Sequence, residues 1–291
     1  MMPVVTSDYW LNGFTRVWAA DADADEHEAI RAWYGDLLRP YLHARPLRTL
    51  DVGCGSGRVV SVLAELCPDA FHVAIDGCEE AVAQTARRLT DERINGAVER
   101  VDLTEPGFGS RLLEQYGRFD LVTCFYVLHH YDVKTIGRVL AQFRDLLTDD
   151  GLIVLAECHD PDDELAWTTE QVCARLAQLA GQPADLLLTI DQLHAACAAA
   201  GIEPGDIRID RRSGQPFTER ERERHTATVA GLRARVAALR SQLGSRQPAA
   251  LSELESIVET MARCRISGPA RHAPALAVLG SRSTALGRSI A

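Results

Sequence analysis

Hydrophobic positions from residue 48 to about residue 160 alternate between short apolar segments and amphipathic segments. The apolar segments are typical of buried strands, and the amphipathic ones have the three- and four-residue spacing of helices. The predicted strands are Arg48–Gly55, His72–Gly77, Gly96–Leu103, Phe119–Leu128 and Gly151–Cys158, and the predicted helices are Arg58–Leu66, Glu79–Leu89 and Thr135–Leu147. This alternation predicts an α/β fold with a doubly wound, mostly parallel sheet, because parallel strands need right-handed helical crossovers.

Helical patterns flank this segment on both sides. Residues 1–45 are aromatic and helical in pattern and predict an N-terminal helical cap. Two helices, a sixth strand and a last strand are predicted after residue 160. They are Glu170–Ala180, Ile190–Ala200, Ile202–Arg211 and Pro274–Ser283. The last strand brings the predicted sheet to seven strands.

The segment before the last strand predicts an antiparallel helical hairpin. Its apolar residues fall at steps of three and four, with the turn "GSRQPA" between two stripes. These residues are Val229, Leu232, Val236, Leu239, Leu243, Leu251, Leu254, Val258 and Met261. The hairpin is too short for an autonomous coiled coil, so we expect its seam to pack on the body of the protein, as a lid, or against another subunit. The predicted domains are therefore a cap (1–45), an α/β domain (46–212 and 269–291) and a hairpin insertion (213–268), with a possible homodimer through the hairpin or the cap.

Composition excludes several function classes. The formal net charge is −10 and no long basic tract is present, which argues against nucleic-acid binding. No apolar run approaches the about 18 residues that span a bilayer, so no membrane association is predicted. The N-terminus lacks the pattern of a signal peptide, and none of the eight cysteines forms a C-x-x-C pair. A reducing cytoplasm is the expected location.

The turn after the first strand carries three glycines, Gly53, Gly55 and Gly57. A dinucleotide fingerprint needs G-x-G-x-x-G, and here Arg58 stands where its third glycine would be. A P-loop would need a Gly-Lys-Ser/Thr ending, which this turn lacks. The turn therefore matches neither phosphate-binding pattern.

The stretch "LDVGCGSG" resembles motif I of the class I S-adenosylmethionine-dependent methyltransferases. The resemblance continues through Asp76, Asp102, "FDLVTCFYVLHH" and "LLTDDGLIVLAE", and covers residues 48 to about 160. It implies a Rossmann-like methyltransferase fold, S-adenosyl-L-methionine as cofactor and S-adenosyl-L-homocysteine as product. It also implies the role of each cofactor-binding residue.

In that family the glycines let the backbone approach the cofactor closely. By resemblance, Asp76 accepts hydrogen bonds from both ribose hydroxyls, although Gly77 stands where the family often has Ser. Asp102 accepts from the adenine amino group and Leu103 packs on the ring. Asp51 faces the cofactor's ammonium group, directly or through water, and the backbone around Cys124 and Phe125 meets the amino-acid end.

Candidates for acceptor chemistry come from three places. Tyr126, His129 and His130 follow the fourth strand, at the sheet edge where ligands bind. After the fifth strand, Glu157 can act as a base or hold a substrate amine, and His159 lies in the same loop. Tyr9, Trp10 and Trp18 of the cap either close over the site or form a core stripe. A metal held by Glu157, His159 and Asp162 is conceivable, but solvated loop charge is favoured, so no metal is predicted.

The leading hypothesis is methyl transfer to an O, N or C nucleophile of a small molecule, in bacterial specialised metabolism. Nucleic-acid methylation is disfavoured because Thr123–Tyr126 lacks the [D/N]-P-P-[Y/F/W] motif. One alternative is attack on, or cyclisation of, the aminocarboxypropyl arm, which releases methylthioadenosine. Another is a non-catalytic binding or regulatory protein on the same fold.

Overall fold

The computed structural model describes residues 31–32, 34–36, 38–39, 42, 48–157, 164–181, 186, 188–209, 215–216, 219–263, 269–270 and 276–282. The chain divides into two compact units, an α/β unit and a helical unit. The predicted residues Tyr9, Trp10, Trp18 and His159, with Asp162, lie outside the described residues.

The strands are β1 (Arg48–Val52), β2 (Phe71–Asp76), β3 (Gly96–Arg100), β4 (Phe119–Phe125), β5 (Leu147–Ala156), β6 (Ile202–Ile209), β7 (Gln215–Pro216), β8 (Pro269–Ala270) and β9 (Leu276–Arg282). The helices are α1 (Arg58–Leu66), α2 (Glu79–Asp91), α3 (Phe108–Tyr116), α4 (Val133–Leu146), α5 (Glu164–Leu179), α6 (Ile190–Ala199), α7 (Glu219–Leu243) and α8 (Pro248–Arg263).

The α/β unit is built on a sheet with the strand order β3-β2-β1-β4-β5-β9-β6. The neighbours from β3 to β5 pair in parallel, and β9 pairs antiparallel to β5. This arrangement confirms the predicted α/β class with a mostly parallel sheet. The strand order reverses between β1 and β4, and such a switch point opens a crevice at the carboxyl ends of the two strands.

Continuous burial explains why these segments form central strands. In β1 every residue after Arg48 is buried, and β4 has only one partly exposed residue, Asp120. The helices bury one face each; α4, for example, buries Ile136, Val139, Leu140, Phe143 and Leu146. The Asp132 side chain caps α4 by accepting a hydrogen bond from Thr135 N at 2.7 Å, so the helix begins two residues before the predicted start.

The helical unit contains α5, α7 and α8 together with a short antiparallel pair, β7 and β8. The predicted hairpin seam is confirmed. Its buried residues are Val229, Leu232, Val236, Leu239, Leu251, Leu254, Val258 and Met261. Helix α5 completes this core with Val172, Leu176 and Leu179. The seam therefore packs against a helix that the sequence pattern assigned to the α/β domain.

Among the described helices, none is long and apolar enough to cross a lipid bilayer.

Candidate active site

The glycine turn after β1 has a left-handed backbone at all three glycines, with φ of 68° at Gly53, 53° at Gly55 and 81° at Gly57. A Cβ atom on Gly53 would lie 2.1 Å from Val127 Cγ2, so packing alone excludes any larger residue there. A Cβ on Gly55 would meet no atom within 4 Å. The backbone at Gly55 is therefore open to close approach by a ligand.

Asp76 fixes the shape of this turn. Its Oδ2 accepts a hydrogen bond from Gly55 N at 2.9 Å, and its Oδ1 accepts one from Cys78 N, at the start of α2, at 2.8 Å. Burial raises the pKa of Asp76, and the backbone N–H donors oppose that shift. Thr85 also supports the turn, since its Oγ1 donates to Gly55 O at 2.9 Å. The bonds to Gly55 N and Cys78 N give Asp76 a structural role in the turn and at the start of α2.

Asp102 organises the loop after β3. Its Oδ1 accepts from Thr104 N at 2.8 Å and from Thr104 Oγ1 at 2.7 Å, so Oδ2 takes no part in this turn. The neighbouring Leu103 is buried, and Val101 N donates to Asp76 O at 2.9 Å. That bond holds the Asp102 loop beside the end of β2. Gly77 is not required by packing, because a Cβ there would meet only Val101 O, at 3.7 Å.

Asp51 lies inside the sheet, with 1% of its surface exposed. Its Oδ1 accepts a hydrogen bond from Thr123 Oγ1 at 2.9 Å, whereas Oδ2 is buried and has no hydrogen-bond partner among the described residues. Burial, reinforced by the charge of Asp76, raises the pKa of Asp51 to about 7, against the opposing hydrogen bond from Thr123. An unsatisfied buried carboxylate oxygen is costly, and a cationic donor would relieve that cost.

The end of β4 turns sharply towards the solvent. Cys124 is fully buried, and burial raises the pKa of its thiol well above the usual range. Phe125 is buried, and its ring centroid lies 4.9 Å from that of Tyr34. Tyr126 has a φ of 59° and is 37% exposed, while its N–H donates to Ala156 O at 2.8 Å. Such left-handed backbone in a bulky residue persists only where its surroundings hold it in place.

Glu157 is the group that holds this turn. It is 2% exposed, and its Oε1 accepts hydrogen bonds from Val127 N and from Leu128 N, the latter at 2.6 Å. Its Oε2 lies 2.8 Å from His129 Nδ1. Because the Glu157 side chain is buried within these contacts, it acts as a positioning group for Val127 and His129. The same Val127 packs against Gly53, which links the end of β5 to the glycine turn.

His129 and His130 form a short 3₁₀ turn with Leu128. Their ring centroids are 3.9 Å apart in an edge-on arrangement, and 14% of the His129 side chain is exposed. His130 is buried. Of this pair, the structure brings His129 into contact with Glu157.

Residues 50–153 match the family model described as a methyltransferase domain. Together with the glycine turn and the strand-end carboxylates, this match decides the family. Residues 50–153 are a methyltransferase domain, and the chain is similar in fold to known methyltransferases.

Known proteins similar to this chain agree with that assignment. The malonyl-[acyl-carrier protein] O-methyltransferase of Geobacter sulfurreducens is 27% identical over 248 residues, which cover 83% of this chain and 85% of that protein. A Bacillus halodurans protein provisionally named a methyltransferase has a TM-score of 0.57 at 13% identity, covering 87% of this chain and 100% of that one. Magnesium protoporphyrin IX methyltransferase from Synechocystis, solved with S-adenosylhomocysteine bound, has a TM-score of 0.52 at 16% identity, covering 70% and 90%.

The residues present fit S-adenosylmethionine, the cofactor that the sequence resemblance implies and whose product is bound in the Synechocystis structure. Gly55 leaves the backbone open, and Asp51 has an unsatisfied buried oxygen suited to an ammonium group. Asp76 retains acceptor capacity for hydroxyl donors, because each carboxylate oxygen can accept two hydrogen bonds. Sequence reasoning did not single out Tyr34, or Val127 within the segment "FDLVTCFYVLHH", because both are recognised only by what they contact.

Proposed function

We propose that the methyltransferase domain transfers the methyl group of S-adenosylmethionine to an oxygen of a small-molecule acceptor, with His129 as the general base. The contact between His129 Nδ1 and Glu157 Oε2, 2.8 Å long and at the carboxyl edge of the sheet, is the observation that carries this proposal. The oxygen acceptor is supported by the name of the Geobacter sulfurreducens relative, an O-methyltransferase. We propose that this reaction belongs to bacterial specialised metabolism.

When bound, S-adenosylmethionine supplies a methyl group on a positively charged sulfur, so the protein chiefly has to align the acceptor with that methyl group. Positioning of this kind can contribute about 7–11 kcal/mol. A bond forms between the acceptor oxygen and the methyl carbon, and the carbon–sulfur bond breaks with its electron pair going to sulfur. A base is needed only when the acceptor oxygen starts with a proton.

His129 is arranged to remove that proton. If Nδ1–H donates to the Glu157 carboxylate, the ring adopts the tautomer in which Nε2 accepts a proton. The edge-on ring of His130 and the two backbone bonds to Glu157 restrict rotation of this pair. In this proposal His129 is the catalytic base, whereas Glu157 is a positioning residue.

The proposal is tested by mass spectrometry of the purified protein incubated with S-adenosylmethionine, alone and with a pool of small-molecule acceptors. We expect S-adenosylhomocysteine only with acceptors, and one acceptor whose mass increases by one methylene. Methylthioadenosine formed without an acceptor would contradict the proposal and favour reaction at the aminocarboxypropyl arm. Binding of S-adenosylmethionine without any turnover would favour a binding protein.

The role of His129 has a separate test. With a hydroxyl acceptor, His129→Gln should lower kcat about 100-fold and remove the acidic limb of the pH–rate profile, while the Kd for S-adenosylhomocysteine stays unchanged. An unaltered pH profile would exclude His129 as the base and point to an acceptor that is already ionised, such as a carboxylate.

A further inference from the structure

The two large hydrophobic side chains that are most exposed among the described residues both lie on the loop that carries His129. Tyr126, directly after β4, is 37% exposed, and Val133, the first residue of α4, is 56% exposed. His129 lies between them in the chain, with 14% of its side chain exposed. Single exposed hydrophobic residues are common on protein surfaces. Here, however, the two residues flank the group that acts as the base in the proposed reaction.

The backbone conformation of Tyr126 is unusual for its place in the fold. Among the described residues, three other than glycine have a positive φ, namely Tyr126 at 59°, Arg93 at 55° and Gln247 at 54°. Arg93 follows the C-cap of α2, and Gln247 directly precedes α8 in the hairpin turn, so a helix end and a tight turn account for these two. Tyr126 lies between a strand and a 3₁₀ turn, where glycine would adopt the same backbone without strain. Strained residues of this kind are concentrated at ligand-binding sites.

The backbone on both sides of the Tyr126 ring is fixed. Phe125 and Val127, its neighbours in the chain, are buried. Tyr126 N donates to Ala156 O at 2.8 Å, and the next N–H, that of Val127, donates to the Glu157 carboxylate. The exposed ring is therefore part of a preformed surface, and such a surface loses little conformational freedom when a ligand binds.

The loop between the two exposed residues is compact. His130 N donates to Val127 O at 3.2 Å. Tyr131 N donates to Leu128 O at 3.0 Å. These turn bonds shorten the loop, so its exposed hydrophobic ends belong to one small region at the carboxyl edge of the sheet.

The proposed base also limits which hydroxyl groups can react. A histidine side chain has an ordinary pKa of about 6.5, and a phenolic hydroxyl has one of about 10. General-base catalysis is most effective when the proton donor is not far weaker an acid than the protonated base. An aliphatic hydroxyl is a far weaker acid than a phenol, and a carboxylate is already ionised and needs no base. A phenol therefore fits a histidine base best.

We infer that the acceptor is a phenol whose aromatic ring packs on Tyr126 and Val133 while its hydroxyl group donates to His129. Aromatic rings pack favourably on one another in offset or edge-on arrangements. His129 Nε2 accepts the phenolic proton, and the phenolic oxygen forms the bond to the methyl carbon while the carbon–sulfur electron pair goes to sulfur. This inference names the substrate class of the proposed methyl transfer and rests on that function.

Matched acceptors test the inference without any variant. One set is 4-ethylphenol, 4-ethylcyclohexanol and 4-ethylbenzoic acid, and the other is 2-naphthol, decahydro-2-naphthol and 2-naphthoic acid. Calorimetric titration into the protein saturated with S-adenosylhomocysteine should give about threefold to tenfold tighter binding of each phenol than of its ring-saturated alcohol. With S-adenosylmethionine, kcat/KM should be highest for the phenols. Absence of phenol binding, or a higher kcat/KM for the alcohols or acids, would overturn the inference.

Tyr126→Gly removes the ring and relieves the left-handed backbone. We expect the KM for the phenol to rise about tenfold, while kcat and the Kd for S-adenosylhomocysteine change less than about threefold and the Tm does not fall. Arg93→Gly and Gln247→Gly are the matched controls, because they relieve the same backbone conformation outside this loop and should leave the KM unchanged. An unchanged KM for Tyr126→Gly, or a lower Tm with equal losses in kcat and cofactor affinity, would overturn the inference.

Two further variants divide the surface into its parts. Tyr126→Leu keeps an apolar side chain and serves if the Gly variant does not fold. It should abolish the preference for phenols over ring-saturated alcohols, and a retained preference would overturn the role of the ring. Val133→Thr keeps the shape of the side chain but makes it polar, and should raise the KM for phenols about twofold to fivefold. An unchanged KM would overturn the contact assigned to Val133.

Failure of the inference can be distinguished from failure of the proposed function. If phenols bind in preference to the ring-saturated alcohols, and Tyr126→Gly removes that preference, but no phenol is methylated, only the proposed methyl transfer fails. If ring-saturated alcohols are methylated with His129 as the base while phenols neither bind nor react, only the inference fails.

Discussion

Two buried carboxylates, Glu157 and Asp51, lie at the carboxyl ends of β5 and β1 and are almost equally hidden, at 2% and 1% exposure. Both Glu157 oxygens are used by the protein, in bonds to Val127 N, Leu128 N and His129. Asp51 has one such bond and one buried oxygen that no described residue satisfies. The difference shows that burial alone does not identify a ligand-binding carboxylate. The hydrogen-bonding capacity that the protein leaves unused separates the two carboxylates and makes Asp51 the candidate for binding a ligand.

Of the substitutions considered, Glu157→Ala should lower the stability of the protein the most. The substitution leaves the buried Val127 and Leu128 N–H groups without an acceptor, at about 1–3 kcal/mol for each. We expect the free energy of unfolding, measured with urea, to fall by several kcal/mol, together with loss of methyl transfer. Glu157→Gln keeps an acceptor oxygen for these N–H groups and should recover most of the stability. Full stability of the Ala variant would show that the turn does not depend on Glu157.

The second prediction concerns the loss of stability when glycines at and near the glycine turn are replaced by alanine, because the space around each glycine differs. Gly53→Ala places a Cβ against Val127 and should lower the free energy of unfolding by about 2–3 kcal/mol. Gly55→Ala should cost about 1–2 kcal/mol from its left-handed backbone, and should weaken cofactor binding as well.

Gly77→Ala is the matched control, since a Cβ there has ordinary space and should change stability by less than about 0.5 kcal/mol. Denaturant unfolding and calorimetric titration with S-adenosylhomocysteine measure the two properties. Equal effects of the Gly53 and Gly77 substitutions would contradict the packing assigned to Val127.

The third effect concerns Asp51→Asn, which should separate binding from stability. We expect the Kd for S-adenosylhomocysteine to rise at least about tenfold because an ionic hydrogen bond is lost. The cofactor-free protein should become no less stable, since a buried charge is removed. The pKa of Asp51 is raised to about 7 in the folded protein, so this group favours folding less as pH rises from about 4 to 7.

The stability advantage of the Asn variant should therefore be larger at pH 8 than at pH 5, as measured by thermal or urea unfolding. A variant that loses stability equally at both pH values would indicate that Asp51 is structural, like Glu157.

Some features of the site could be predicted from the sequence and others could not. The sequence predicted the alternation of strands and helices along the chain, the glycine turn and the carboxylates at the strand ends. These features could be predicted because they are local patterns on a regular scaffold. It did not predict that Glu157 would bind two backbone N–H groups, nor that Tyr34 would contact Phe125. Both contacts depend on turn geometry and on packing between segments distant in the chain.

The helical unit gives a similar result. The apolar spacing located the hairpin seam correctly, but not its partner. Helix α5 has few features that distinguish it from a helix covering the sheet, and only its packing against Val229 and the other seam residues assigns it to this unit. Periodicity shows which face of a helix is buried and not what buries it.

The smallest change in stability should come from substitution of His72. This buried titratable residue lies near the start of β2, at the sheet edge opposite the carboxyl ends of the strands. His72 Nδ1 lies 2.8 Å from Thr49 Oγ1, and Nε2 lies 3.3 Å from Cys67 O, so both ring nitrogens have partners as the Glu157 oxygens do. Burial lowers the pKa of His72. Stability should then fall as pH drops below about 6.5, because the unfolded chain takes up a proton that the folded one resists.

His72→Gln should flatten this part of the stability-versus-pH curve without changing the affinity for S-adenosylhomocysteine. The measurement is urea unfolding between pH 5 and 8. A change in cofactor affinity would contradict the purely structural role given to His72.

The measurement that tests the central claim most directly is the proton released when S-adenosylhomocysteine binds at pH 7. It is obtained by titration calorimetry in buffers that differ in ionisation enthalpy. If the ligand's ammonium group forms a hydrogen bond with Asp51, binding should release protons from the wild-type protein, since burial raises the pKa of this carboxyl to about 7 and the ionic contact lowers it again. Asp51→Asn should bind more weakly and abolish this release. The same proton release in wild type and variant would contradict the assignment of Asp51 to the cofactor.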